Sequence, residues 1–285
     1  MGTAPSASTV DTALAWGRAR LQSCDNPLLD AQLLLGHALG LARGELMVRG
    51  TQALAAGPMA AFERAVQRRA AGEPLAYITG QREFWSLPLR VTPAVLVPRP
   101  ETELVVERAL ALLGTGPARV ADLGTGSGAI ALALARERPG WRVTATDRSV
   151  AALEVATANA RALAVENVRF LAGDWYGAVG GECFDLIASN PPYVGATDPV
   201  LQGSALRHEP LAALASGASG LEDLAAVIAG AGAHLSAAGW LVLEHGAGQA
   251  AEVEKLLVAQ GFRHVRCHAD LAGLARVTEA QIPAA

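Results

Sequence analysis

The chain has 285 residues, of which 51% are hydrophobic and 18% are charged, and its formal net charge is −4. This composition is typical of a globular protein with enough apolar material for one large domain or two domains. The negative charge argues against a protein that binds nucleic acid by neutralising phosphates. The N-terminus lacks the pattern of a signal peptide, and no apolar run approaches the roughly 18 residues of a membrane span. We therefore expect a cytoplasmic protein with no membrane partner and no direct nucleic-acid partner.

The cysteines point to neither a metal site nor a disulfide framework. Cys24, Cys183 and Cys267 lie far apart in the sequence, and none belongs to a CxxC pair. We expect them to be buried free thiols in a reducing compartment, and we predict no metal site.

The first predicted unit is a small helical bundle over residues 1–78. Leucine and alanine recur at helical spacing through residues 28–35 and again through residues 60–70. Proline and glycine interrupt the segment at several points and divide it into short helices. The segment contains no catalytic constellation of its own.

Residues 79–98 change character and predict a β-hairpin linker. Residues 84–91 have the composition of strands, and they are interrupted by proline, which suits an edge hairpin. The next loop is stiffened by two prolines and precedes a predicted helix over residues 104–113. We interpret this loop either as a helix cap or as a lid over a ligand, formed by Arg99, Glu101 and Thr102.

Residues 99–285 predict an α/β fold with a doubly wound, mostly parallel seven-stranded sheet, because predicted strands alternate with helices from residue 119 onward. The predicted strands cover residues 119–123, 141–146, 168–172, 184–189, 240–243, 262–268 and 274–278. The last two strands are joined by a short connection, which predicts an antiparallel strand at one edge. A long loop over residues 191–220 interrupts the alternation before a helix over residues 221–235.

A glycine-rich turn follows the first strand of this sheet. Gly124, Gly126 and Gly128 would let the backbone approach a ligand, and the next helix offers free N–H groups at its start. Asp147 ends the second strand, where a carboxylate suits two ribose hydroxyls. Asp174 and Trp175 follow the third strand and suit an adenine. The glycine spacing also fits a dinucleotide fingerprint, so this turn leaves nicotinamide and S-adenosylmethionine open.

The tetrapeptide Asn190-Pro191-Pro192-Tyr193 follows the fourth strand. Two prolines cannot continue a strand, so they make a stiff turn that holds the Asn190 side chain and nearby carbonyls in place. Rigid acceptors beside an aromatic ring suit a planar NH2 group, whose lone pair is then left pointing at an electrophile. Methyl transfer from a sulfonium to a planar nitrogen fits this arrangement, whereas hydride transfer would give the turn no role.

These motifs resemble those of class I S-adenosylmethionine-dependent methyltransferases that act on amide or amino nitrogen. The flanking sequence is similar to the release factor glutamine N5-methyltransferases over nearly the whole chain. The matching segments are residues 72–80, 84–87, 97–103, 122–128, 190–193, 208–210 and 270–273. The resemblance implies S-adenosyl-L-methionine as the cofactor. It implies the glutamine of the Gly-Gly-Gln loop in peptide chain release factors as the substrate.

The resemblance also implies roles for individual residues and segments. Residues 1–78 would help to hold the release factor, residues 79–98 would be the linker, and residues 99–285 would be the methyltransferase domain of a monomer. The implied cofactor-binding residues are Asp122, Gly124, Thr125, Gly126, Ser127, Gly128, Asp147, Asp174, Trp175 and Asn190. The implied catalytic and substrate-binding residues are Asn190, Pro191, Pro192 and Tyr193.

Two other functions are consistent with parts of the pattern. An adenine-N6 methyltransferase acting on DNA or RNA would use the same tetrapeptide on an extruded base, and it predicts a basic surface. A non-catalytic partner subunit predicts a damaged glycine turn. The net charge of −4 argues against the first, and the intact turn argues against the second.

Overall fold

The computed structural model describes residues 9–203 and 206–284. The chain divides into two compact units, residues 1–80 and 81–285. Each unit builds a hydrophobic core of its own. The division falls two residues after the predicted end of the helical bundle, and the predicted hairpin lies in the second unit.

The first unit is helical, as its periodicity predicts. Its helices are α1 (Val10–Arg20), α2 (Pro27–Leu39), α3 (Arg43–Met47), α4 (Ala56–Ala70) and α5 (Leu75–Thr79). Helix α2 begins where the Asn26 side chain accepts the N–H of Leu29, with Pro27 in the first turn. It ends at Gly40, which adopts a left-handed conformation that glycine tolerates.

Close helix packing in the first unit depends on a small residue in α1. A Cβ atom on Gly17 would lie 2.6 Å from the ring of Phe62, which is fully buried in α4. Glycine at this position therefore lets the ring pack directly against the α1 backbone. An ion pair of 2.7 Å between Asp30 and Arg69 joins α2 to α4.

The second unit contains the hairpin and the large sheet. The hairpin consists of β1 (Gln81–Phe84) and β2 (Leu87–Arg90). The strands of the large sheet are β3 (Arg119–Leu123), β4 (Arg142–Asp147), β5 (Val168–Ala172), β6 (Phe184–Ser189), β7 (Leu235–Glu244), β8 (Arg263–Ala269) and β9 (Ala275–Gln281). The helices are α6 (Glu103–Leu112), α7 (Ala129–Glu137), α8 (Val150–Ala162), α9 (Glu222–His234) and α10 (Ala250–Ala259).

The sheet confirms the predicted fold class. Its strand order is β5-β4-β3-β6-β7-β9-β8, and the pairs between β5 and β7 are parallel. The order reverses between β3 and β6, so the glycine-rich turn and the Asn190 turn emerge side by side at the carboxyl ends of adjacent strands. This position is where doubly wound sheets bind their ligands.

The predicted place of the antiparallel strand is wrong. Strand β9 is antiparallel to both neighbours, but it lies between β7 and β8 rather than at the edge. Residues 277–280 of β9 are buried, whereas β8 carries mostly exposed polar side chains. Because polar side chains suit an edge and apolar ones need cover on both faces, β9 takes the inner place.

Strand β7 is longer than predicted. It begins at Leu235 instead of residue 240, and the preceding helix ends at His234. Its pairing with β6 changes register between Phe184 and Leu186, and Ala238 adopts a positive φ of 59°. Small residues fill this irregular start and carry no strand signal of their own, so the sequence does not predict it.

The expected burial of the thiols is also wrong. Cys267 is exposed on the edge strand β8, and Cys24 and Cys183 are partly buried. All three are free thiols. Within residues 9–203 and 206–284, no group of three or more His, Cys, Asp or Glu side chains is arranged to hold a metal ion. In the same residues, no helix is both long and apolar enough to cross a membrane.

Candidate active site

A cleft lies at the carboxyl ends of β3, β4, β5 and β6. It contains about 1050 Å³ of space, including its opening to solvent. Most of the predicted site residues meet here. Those that line the cleft are Arg99, Thr102, Gly124, Thr125, Gly126, Ser127, Asp147, Asp174, Trp175, Asn190 and Pro192.

The remaining predicted residues stand behind the lining. Asp122 is fully buried on β3, and Gly128 caps α7. Pro191 and Tyr193 belong to the Asn190 turn, and the Tyr193 hydroxyl points to a buried carboxylate. Glu101 lies in the 3-10 turn that precedes α6. These five residues do not line the cleft themselves.

The glycine-rich turn has a backbone that other residues would strain. Gly124, Gly126 and Gly128 have φ angles of 74°, 56° and 85°. A Cβ atom on Gly128 would lie 3.0 Å from Leu132 Cδ1. At Gly126 no described atom lies within 4 Å of the place that a Cβ would occupy. The turn therefore leaves open space where a ligand can approach the backbone closely.

Asp147 shapes this turn from the neighbouring strand. Its Oδ2 accepts the N–H of Gly126 at 2.9 Å, and its Oδ1 accepts the N–H of Ser149 at 2.8 Å. Trp175 stands on the next strand connection, and a Cβ atom on Gly124 would lie 3.3 Å from its ring. The cleft thus combines a carboxylate, an open glycine backbone and an aromatic wall.

Asp122 is a buried carboxyl beneath the same turn. Its Oδ2 accepts the Thr125 hydroxyl at 2.6 Å and the Ala131 N–H at 3.1 Å. Its Oδ1 is buried without a hydrogen-bond partner among the residues that the structure describes. The pKa of Asp122 is raised to about 7, mainly by burial and in smaller part by the nearby charge of Asp147, while the two donors oppose the shift.

We expect Asp122→Asn to be more stable than the wild type at pH 8 and to lose part of that advantage at pH 5. The folded protein holds the Asp122 proton more tightly than the unfolded chain, because the pKa is raised from 3.8 to about 7. Within that pH range the free energy of unfolding therefore falls as pH rises. The variant has no such loss. The difference in free energy of unfolding between Asp122→Asn and the wild type should therefore grow by roughly 2–3 kcal/mol from pH 5 to pH 8.

Denaturant unfolding at pH 5 and pH 8 measures this difference. Other titrating groups are common to both proteins, so they cancel when the two free energies are subtracted. A difference in free energy of unfolding that is the same at pH 5 and pH 8 would show that Asp122 does not titrate in this range.

The Asn190 turn is held by the side chains of Thr102, Glu244 and Gln249, all of which lie far from it in the sequence. Asn190 Nδ2 donates to Thr102 Oγ1 at 3.1 Å, and the Tyr193 hydroxyl donates to Glu244 Oε1 at 3.1 Å. Gln249 Nε2 donates to the carbonyl of Tyr193 at 3.0 Å. The turn is therefore fixed at its amide, its ring and its backbone.

Sequence reasoning missed four residues that support this site. Glu244 and Gln249 hold the Asn190 turn. Asn159 donates to the carbonyl of Ser127 in the glycine-rich turn. Glu209 accepts the Val97 N–H. Only Glu244 carried a local signal, because it ends a strand at the same edge of the sheet as Asn190 and Asp147.

Glu209 joins two loops that border the cleft. The Glu209 side chain is buried. Its carboxylate pairs with the Arg99 guanidinium and accepts the Val97 N–H at 3.0 Å. Arg148 also donates to the carbonyl of Ala212 at 3.0 Å. Pro210, Ala212 and Ala213 line the cleft, so these contacts fix one segment of the long loop against it.

Comparison with known proteins identifies both parts of the chain. Residues 12–80 match the family model described as PrmC N-terminal domain, and residues 102–208 match the one described as methyltransferase small domain. A release factor glutamine methyltransferase of Xylella fastidiosa is 50% identical, covering 90% of this chain and 93% of that protein. The Escherichia coli protein of the same name is 43% identical, and the match covers 91% of this chain and 94% of that protein.

Solved structures with lower identity share the fold. A methyltransferase from Pyrococcus furiosus has a TM-score of 0.53 at 20% identity. The match covers 69% of this chain and 89% of the Pyrococcus furiosus chain. A 16S rRNA N2 methyltransferase from T. thermophilus, solved with AdoMet and guanosine, has a TM-score of 0.54 at 20% identity. This match covers 71% of this chain and 49% of the T. thermophilus chain. With the sheet order, the glycine-rich turn and the close relatives in agreement, the chain belongs to the release factor glutamine methyltransferase family.

Proposed function

We propose that this protein transfers a methyl group from S-adenosyl-L-methionine to the N5 amide nitrogen of the Gly-Gly-Gln glutamine in peptide chain release factors. Family membership supports the reaction. The observation that carries the proposal is the orientation of Asn190 in the wall of the cleft. Because its Nδ2 is taken up by Thr102, its Oδ1 is left to accept from a substrate NH2 group.

The residues of the cleft fit the proposed cofactor. Open space at Gly126 leaves the backbone approachable, and Asp147 presents a carboxylate beside it for ribose hydroxyls. Asp174 and Trp175 would receive the adenine, the first by its carboxylate and the second by its ring. When bound, the cofactor supplies an electrophilic methyl group on a sulfonium.

The main task of the protein is to make a poor nucleophile react. Conjugation holds the amide lone pair, and losing it costs on the order of 18–20 kcal/mol by the rotation barrier. Asn190 Oδ1 and the Pro191 carbonyl would accept the two amide hydrogens, each contributing roughly 3–4 kcal/mol at best. Alignment with the methyl group contributes roughly 7–11 kcal/mol more. Positioning therefore outweighs any single hydrogen bond.

Tyr193 serves as a ring and a donor rather than a base. Burial raises the pKa of its hydroxyl, and the neighbouring carboxylate of Glu244 raises it further. The hydroxyl therefore stays protonated and keeps donating to Glu244. In the proposed reaction the ring stacks on the plane of the substrate amide.

The other segments have proposed roles in substrate access. Arg99, Glu101 and Thr102 would form a lid, because Arg99 and Thr102 line the cleft and Arg99 pairs with Glu209 of the long loop. The first unit, residues 1–80, would dock the release factor. We propose that the protein acts as a monomer in the cytoplasm.

Methyl transfer from labelled S-adenosylmethionine to a purified release factor tests this function. We expect label on the wild-type factor and none on a factor whose Gly-Gly-Gln glutamine is replaced by alanine. Equal label on both factors would contradict the proposed site. Label on adenine in DNA or RNA, with none on the factor, would show that the Asn190 turn methylates a different planar nitrogen.

A further inference from the structure

Asn159 is a buried amide on α8 that bonds to two separate segments of the chain. Only 2% of its surface is exposed, and it does not line the cleft. Its Nδ2 donates to the carbonyl of Ser127 at 2.9 Å and to the carbonyl of Arg90 at 3.0 Å. Its Oδ1 accepts the Arg90 N–H at 2.7 Å. The amide is therefore bound to backbone groups that lie 32 and 69 residues away in the sequence.

The partners of Asn159 fix the orientation of its amide. The carbonyls of Ser127 and Arg90 can only accept a hydrogen bond, and the Arg90 N–H can only donate one. The opposite orientation would set the amide oxygen against two carbonyls and the NH2 group against an N–H. Asn159 therefore has one satisfied orientation, and in that orientation it holds both segments at once.

The first of these segments is the glycine-rich turn, which contains Ser127. Gly126 and Gly128 on either side of it have positive φ angles. Glycine loosens a backbone, so a turn with three glycines needs fixed partners to keep one shape. Helix α8 lies close enough to supply one, because a Cβ atom on Gly128 would lie 3.3 Å from the Cβ of Ala156. Asn159, one helical turn after Ala156, makes the hydrogen bond.

The second segment is the end of β2, which leads into another wall of the cleft. Arg90 is the last residue of that strand. Leu89, just before it, is fully buried in the core that the hairpin shares with α7. The hairpin is thus a fixed point of attachment for the residues that follow it. Those that line the cleft are Ala94, Val95, Leu96, Pro98 and Arg99.

We propose that Asn159 is a positioning residue that holds the glycine-rich turn and residues 94–99 at the spacing that S-adenosylmethionine requires. Without the amide, the Ser127 carbonyl and the Arg90 backbone lose their buried partner, and each wall moves independently of the other. Binding must then restore the spacing, so affinity falls. The coupling is reciprocal, so bound cofactor protects the Arg90 N–H. The inference rests on the cofactor of the proposed function, but not on the methyl acceptor.

Amide hydrogen exchange of the cofactor-free protein tests the hold on the turn. In Asn159→Ala the amides of Gly126 and Gly128 should exchange about tenfold faster than in the wild type, the effect of one lost hydrogen bond. Asn167→Ala is the matched control, because Asn167 Nδ2 also donates to backbone carbonyls, at the opposite end of the sheet. It should leave both amides at the wild-type rate.

A substitution in the hairpin tests the same connection from its other end. Arg90→Pro removes the N–H that Asn159 Oδ1 accepts. The Arg90 side chain is exposed, and proline suits a strand end whose N–H is bonded outside the ladder. Although Arg90 does not line the cleft, the variant should also speed exchange at Gly126 and Gly128, by about three- to tenfold.

Cofactor binding provides a second readout. By calorimetry, the Kd for S-adenosylmethionine should rise about tenfold in Asn159→Ala and about three- to tenfold in Arg90→Pro. It should stay within about twofold of wild type in Asn167→Ala. In the wild type, saturating S-adenosylmethionine should slow exchange of the Arg90 amide about tenfold or more. The Arg119 amide, which the Asp185 carboxylate accepts at the amino end of the sheet, should change far less.

Three results would overturn the inference. In Asn159→Ala, amides of the glycine-rich turn that accelerate no more than the Arg119 amide would show a loss of global stability alone. A Kd for Asn159→Ala equal to that of Asn167→Ala would remove the link to the cofactor. Equal slowing of the Arg90 and Arg119 amides by S-adenosylmethionine would exclude a specific coupling. If Asn159→Ala does not fold, Arg90→Pro and the exchange of the wild type decide between the same outcomes.

Failure of the proposed function gives a different pattern. A wild-type protein that binds S-adenosylmethionine and protects the Arg90 amide, but methylates no release factor, would refute the methyl acceptor and support the role of Asn159. A wild-type protein that does not bind S-adenosylmethionine would overturn both.

Discussion

Replacing Asn190 with alanine is expected to lower kcat about 10²–10³-fold and to leave the Kd of S-adenosylmethionine within about threefold. The alanine removes the Oδ1 acceptor that Thr102 holds towards the cleft. An acceptor that is fixed before the substrate arrives contributes to the transition state without a reorganisation cost. The glycine-rich turn and Asp147 follow other strands, so their proposed cofactor contacts remain.

Single-turnover methyl transfer and calorimetric titration of S-adenosylmethionine measure the two quantities separately. Asn167→Ala is the matched control for the loss of a partly buried asparagine amide. Asn167 Nδ2 donates to the carbonyls of Ala135, Arg138 and Trp141 at the opposite end of the sheet. The Asn167→Ala variant should lower the free energy of unfolding and leave kcat near the wild-type value. Equal losses of kcat and cofactor affinity in Asn190→Ala would show that Asn190 acts through the cofactor.

Replacing Asp147 with alanine should mainly weaken cofactor binding, whereas Asn190→Ala should mainly lower kcat. We expect the Kd for S-adenosylmethionine to rise about 10²-fold. The proposed ribose contacts are hydrogen bonds to a charged acceptor, and each contributes roughly 1.5–3 kcal/mol. The variant also releases the N–H groups of Gly126 and Ser149, which Asp147 holds in place. The glycine-rich turn therefore loses its shape as well as its anionic partner. At saturating cofactor, kcat should fall far less than affinity.

Asp185→Ala is the matched control for the loss of a carboxylate that accepts a backbone N–H. The Asp185 carboxylate accepts the Arg119 N–H at 2.8 Å, which is the same kind of contact at the amino end of the sheet. This variant should lose a similar amount of stability and bind the cofactor as the wild type does. A calorimetric Kd for Asp147→Ala that matches the Asp185→Ala value would exclude Asp147 from the cofactor site.

The lining of the cleft was predictable because each of its main residues carries a local signal. Gly124, Gly126 and Gly128 stand between a strand and a helix, and Asp147 and Asn190 each follow an apolar run that forms a parallel strand. The carboxyl ends of parallel strands meet at one edge of a sheet, so residues distant in sequence were expected to converge there. The structure brings them into one cleft.

The support behind the lining was not predictable from such signals. Gln249 reaches the Tyr193 carbonyl, and Glu209 reaches Val97, across many residues of chain. A single glutamate or glutamine on a loop or helix start looks the same whether it is solvated or buried. Burial, which decides their chemistry, is set by the elements that pack around them.

The sequence by itself determined the fold class, the helical first unit, the position of the glycine-rich turn and the stiff Asn190 turn, because these depend on periodicity, glycine and proline. Only the tertiary structure decided that β9 lies inside the sheet, that β7 starts at Leu235 and that the buried Glu244 accepts from Tyr193. Those features depend on which surfaces compete for burial and which distant donors meet an acceptor. Such contacts exist only after the chain has folded.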